Sequence, residues 1–73
     1  MAAEHIHEVL KRASLFLEQH QKEPNIAEIL LQHHLQVDRS QMFMRLRDEM
    51  PTDSLQSFNR DLKRHAVENV PVQ

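Results

Sequence analysis

Six histidines are the residues of this 73-residue chain best equipped for chemistry. Imidazole ligates zinc and moves protons near neutral pH. His5 and His7 stand two apart, and His33 and His34 are adjacent. On a helix neither spacing puts two rings on one face, which takes i,i+3 or i,i+4. Zinc needs three or four convergent ligands, so no metal site is expected here. The histidines are expected at the surface or its boundary, with one or two rings packed into the core. Ser14, Ser40, Ser54 and Ser57 fall on helical or capping positions with no strained turn around them. Asp48 and Glu49 read as a solvated helix end. The residue types therefore predict no catalytic and no cofactor-binding residue.

Composition narrows the classes further. Zero Cys excludes disulfides and thiolate metal sites. Zero Gly removes the phosphate-cradling loops of nucleotide sites and disfavours tight hairpins. The net charge of −2 lacks the basic excess of a dedicated nucleic-acid binder. No apolar run approaches the 18 or so residues of a membrane span. The opening "MAAEHIHEVL" has neither the basic start nor the apolar stretch of a secretory signal. A cytoplasmic, soluble, single domain is the expectation. Hydrophobic residues at 40% and charged residues at 27% fit a folded domain of marginal stability.

The elements that must position any site are helices. Residues 4–19 place Ile6, Val9, Leu10, Ala13, Phe16 and Leu17 at steps of 3 and 1, one face of a helix. Glu8 and Arg12 make a favourable i,i+4 pair on it. Pro24 breaks the pattern. "NIAEILLQHHLQ" is apolar over a wide arc. Ile26, Ile29, Leu30 and His33 form one stripe, with Ala27, Leu31, His34 and Leu35 alongside, so this is the predicted central helix. Asp38 and Gln41 form a capping box, and Val37 can staple against Met42. The predicted helix over 39–48 buries Met42, Phe43 and Leu46 and leaves Met44 off the stripe. Thr52 is the predicted cap of the last helix, whose stripe is Leu55, Phe58, Leu62 and Ala66, with an end near Val67. Asn69 suits a left-handed helix stop, and "VPVQ" is then extended. The fold class is all-α, a small bundle of four to five short helices with an extended C-terminal tail.

A helix-turn-helix reading of "IAEILLQHHLQVDRSQMFMRL" would offer Arg39, Ser40, Gln41 and Arg45 to bases. The acidic balance and the missing turn glycine weigh against it. A freestanding helical protein-interaction adaptor is the other bland alternative. For a protein partner, the basic residues Arg39, Arg45 and Arg47 are the candidates, because guanidinium forks suit carboxylates. They can equally pair with acids of their own domain.

Three segments together carry a family resemblance. "HEVLKRASLFL", "AEILLQHHLQVDRSQMFMRLRDEM" and "RHAVENVPVQ" resemble the N-terminal domain of the HemK/PrmC family, protein-(glutamine-N5) methyltransferases that act on peptide chain release factors. Ala13 and Leu17 match the first family element. Ala27, Glu28, Leu30, Leu31, His33, Leu35, Arg39 and Met42 match the second, and Arg64, Pro71 and Gln73 the third. Many relatives carry Gly where this chain has Gln36 and Asn69, positions that imply left-handed backbone. The resemblance implies a helical substrate-docking domain over 1–69, with 70–73 beginning a linker to a Rossmann-like catalytic domain in cis. That second domain binds S-adenosylmethionine and holds the glutamine of the release factor's GGQ loop. The catalytic "NPPY" motif is not in this sequence, so the fragment itself is expected to bind a release factor and to do no chemistry. It is expected to need no cofactor, no nucleic acid and no membrane.

Overall fold

A computed structural model describes residues 4–68 of the chain. They form four α-helices in the order α1 (Ile6–Gln19), α2 (Ile26–Leu35), α3 (Arg39–Met44) and α4 (Thr52–Glu68). The all-α class is as the sequence predicts. The anticipated stop at Asn69 and the extended "VPVQ" lie outside the described residues.

The spacing of apolar side chains sets each buried face. In α1, Ile6, Val9, Ala13 and Leu17 are buried, with Leu10 and Phe16 half-buried beside them. In α4, Phe58, Leu62 and Ala66 are buried and Leu55 packs against them. The predicted wide arc of α2 resolves into one face. Ala27, Leu30 and Leu31 are buried, while Ile29 is 46% exposed. As predicted, α2 is central: it packs against α1, α3 and α4. Met42 and Met50 complete the core, which among the described residues holds no buried polar or charged side chain.

The helix ends explain how a chain without glycine makes its turns. After α1, Lys22 N–H donates to Leu17 O (2.8 Å) and Gln21 N–H to Glu18 O (3.0 Å). After α2, Val37 N–H donates to Gln32 O (3.1 Å) and Gln36 N–H to His33 O (3.3 Å). Both are Schellman closures, and each needs one left-handed residue. Gln21 (φ 60°) and Gln36 (φ 56°) supply it in place of glycine. The left-handed backbone implied at Gln36 is therefore present, and the one at Gln21 carries no sequence signal.

Three local expectations are corrected. The capping box of α3 forms as predicted, with Gln41 N–H donating to Asp38 Oδ1 (2.8 Å) and Asp38 N–H to Gln41 Oε1 (3.0 Å). The helix nevertheless stops at Met44, and residues 45–48 form a turn. Its carbonyls are engaged elsewhere: His7 N–H donates to Leu46 O and Ile6 N–H to Asp48 O, both at 2.9 Å, and Met50 N–H donates to Glu4 O at 2.8 Å. The first two satisfy N–H groups that the first turn of α1 would otherwise leave unpaired. Second, Thr52 is the first helical residue of α4 rather than its cap. Leu55 N–H donates to the carbonyl of Pro51 (2.8 Å), so the proline precedes the first turn. Third, Glu8 and Arg12 do not pair. Glu8 turns back to His5 (Nδ1–Oε1 2.8 Å), and Arg12 grips Glu4 with two nitrogens (3.0 and 3.2 Å) and reaches Asn59 of α4 (3.4 Å).

Candidate protein-docking surface

The three arginines singled out from the sequence lie close together in the chain but not on one helix. Arg39 opens α3, whereas Arg45 and Arg47 fall in the turn that follows it. The predicted basic face of a ten-residue helix is therefore a short helix and a turn. At six residues, α3 is about 9 Å long.

None of the three is held firmly. The Arg39 side chain is 71% exposed, and its Nε lies 3.9 Å from Glu28 Oε1. Its guanidinium carbon sits 5.5 Å from the centroid of the Phe43 ring. Arg45 Nε lies 3.5 Å from Asp48 Oδ2, with both side chains about half exposed. Arg47 is exposed. Exposed pairs of this kind contribute roughly 0.2–1 kcal/mol, and an exposed cation–π contact about 0.5–1 kcal/mol. A partner's carboxylates can displace such contacts at small cost.

Apolar groups accompany the charge. Phe43, predicted to be buried, is 44% exposed; of this helix only Met42 is buried in the core, and the neighbouring side chain points away from it. Met44 is 84% exposed, as its place off the stripe predicts. An aromatic ring, a thioether and guanidinium groups across a short exposed helix and the turn after it is the composition enriched at protein-binding surfaces. Sequence reasoning named the arginines and placed Phe43 in the core instead of beside them.

The histidines divide by role. His34 Nε2 lies 2.8 Å from Asp61 Oδ2, and its ring meets Phe58 edge-on with centroids 6.1 Å apart, so it ties α2 to α4. The His20 ring packs on Phe16 at 4.4 Å. These are the expected boundary histidines. His5 and His7, expected apart, instead stack with centroids 5.7 Å apart. His5 has extended backbone (φ −83°, ψ 156°) and precedes the helix, so the helical spacing argument does not govern it.

Among the described residues, no helix is long and apolar enough to cross a membrane. Residues 8–73 match the model of a family described as the PrmC N-terminal domain. The chain is 37% identical over 68 residues to a protein of Bacillus cereus called release factor glutamine methyltransferase, covering 93% of this chain and 24% of that protein. Proteins of the same name from Bacillus anthracis and Bacillus subtilis are 35% and 38% identical over the same share of this chain. The chain thus spans about a quarter of the length of these relatives. No solved structure matches it.

Proposed function

The chain belongs to the PrmC N-terminal domain family, and from that membership we propose that it is the N-terminal helical domain of a release factor glutamine methyltransferase. In this reading it docks the release factor in the cytoplasm, and a separate domain of the same polypeptide transfers a methyl group from S-adenosylmethionine to the glutamine side-chain nitrogen. The observation that carries it is the 35–38% identity, over 93% of this chain, to relatives bearing that name. The cofactor does not fit this chain. The described residues build helices around a filled apolar core. Without glycine there is also no glycine-rich strand-to-helix turn of the kind that cradles nucleotide-like cofactors. We therefore place the chemistry wholly in the other domain.

Docking is assigned to Arg39, Arg45 and Arg47 with Phe43 and Met44 between them. Guanidinium forks would take carboxylates of the release factor, and the ring and thioether would cover apolar surface beside them. Titration of the isotopically labelled 73-residue chain with a folded release factor tests this by NMR. Shifts clustered on residues 39–47 are expected; shifts centred elsewhere overturn the assignment. In a parallel assay with labelled S-adenosylmethionine and a release factor, the chain alone is expected to transfer no methyl. Transfer would overturn the division of labour.

A further inference from the structure

We propose that His5, His7 and Glu8 form a surface site for a divalent transition-metal ion of the zinc and nickel class. Each residue offers one ligand atom, and these atoms lie within 4.8 Å of one another. Nitrogen and oxygen ligands of a tetrahedral zinc, each about 2.0–2.2 Å from the ion, stand roughly 3.3–3.5 Å apart. Side-chain rotation closes that difference, because His7 and Glu8 are exposed and His5 is half-exposed. The Glu8 carboxylate already lies against the His5 ring, with Oε1 2.8 Å from Nδ1.

The backbone beneath is fixed, which favours a site over a chance encounter. Ile6 and His7 donate to Asp48 O and Leu46 O, and Glu4 O accepts from Met50. His5 pairs with Glu49 as an antiparallel bridge. Two of the three ligands thus sit on backbone held from across the molecule. Glu8 Oε1 also accepts from His5 N–H at 3.0 Å, so it can keep that bond while Oε2 meets the ion. Two imidazoles and one carboxylate suit zinc, nickel and copper better than magnesium or calcium. Opposing charge is present as well: Lys11 lines a surface groove with His7 and Glu8, and the start of a helix is its positive end. The site is therefore open, labile and of modest affinity, with water filling its remaining positions.

Zinc chloride titrated into the labelled 73-residue chain tests this. Saturable NMR shifts centred on residues 4–9 are expected. Substituting His7→Ala removes a ligand outside the cap and is expected to weaken binding roughly tenfold or more, since even supporting partners of metal ligands are worth about 10–100-fold. Substituting Glu8→Gln keeps an oxygen for His5 N–H, so α1 stays capped, and it too is expected to weaken binding. His33→Ala is expected to leave it unchanged. Absence of saturable shifts at millimolar zinc, shifts centred on His33 and His34, or unchanged affinity in His7→Ala each overturns the site.

Discussion

Glu8 is the side chain whose ionisation the fold perturbs most plainly. The His5 backbone N–H and then the His5 side chain hydrogen-bond its carboxylate and hold its pKa below the ordinary value of 4.5. A lowered carboxylate pKa stabilises the fold above the unfolded-state value, and that contribution disappears as pH falls through the folded value. The start of α1 is therefore expected to loosen below about pH 4.5. A carbon-detected NMR titration should show Glu8 with a midpoint below 4.5. A midpoint at or above that value would disprove the cap. The two phenylalanines of similar sequence setting, Phe43 and Phe58, differ just as plainly at this scale. One covers an arginine at the surface and the other is fully buried.

At the scale of elements, the left-handed stops after α1 and α2 are where the chain departs from the easiest choice. An L-residue in that conformation costs about 1–2 kcal/mol, against which glycine's greater freedom in the unfolded chain must be set. Gln21→Gly and Gln36→Gly are each expected to stabilise the chain by about 0.5–1 kcal/mol, read as a rise in urea midpoint with unchanged slope. A fall in midpoint would mean the glutamine side chains matter more than their backbone. The helices themselves were legible to the degree that their pattern was local. The 3- and 4-residue steps of α1 and α4 name their buried residues directly. In α2 two apolar stripes adjoin, and only packing against three neighbours shows that Ile29 is the one left out. The length of α3 could not be read at all. Its predicted last turn is engaged by amides about 40 positions earlier in the chain, a long-range bond with no periodic signature. The same clasp places His5 in extended backbone and hides the histidine cluster from any argument based on helical spacing.

For the whole molecule, size decides how much error is tolerated. At roughly 0.05–0.15 kcal/mol per residue, a chain of this length has a stability of about 4–11 kcal/mol. Its Cα radius of gyration is 11.4 Å, close to the roughly 11 Å of a compact chain, so there is little slack to absorb a cavity. Phe58→Ala empties the largest fully buried side chain and is expected to cost about 3–5 kcal/mol. At the lower end of that stability range, this brings the domain to its unfolding threshold at room temperature. Phe43→Ala, on the exposed side of α3, is expected to change stability by less than about 1 kcal/mol. Circular-dichroism melts of the two variants make the comparison. Similar losses in both would contradict the burial pattern. Family membership belongs to this scale too: it rests on a match over residues 8–73 and on identity across 93% of the chain, where the three short segments, each weak alone, carried a resemblance.

The turn at 45–48 has a thermodynamic consequence for association. Its residues alternate: the carbonyls of Leu46 and Asp48 hold the first turn of α1, while Arg45 and Arg47 stand exposed between and beside them. The main chain that presents these two arginines is thus immobilised before any partner arrives. In the docking we propose, association then has to freeze only side-chain rotamers, about 0.5–1.5 kcal/mol for each arginine, and not a loop. Loosening these bonds would leave every arginine in the sequence and, in the proposed docking, is expected to weaken release-factor binding through entropy, read as a raised Kd with a less favourable binding entropy in calorimetry.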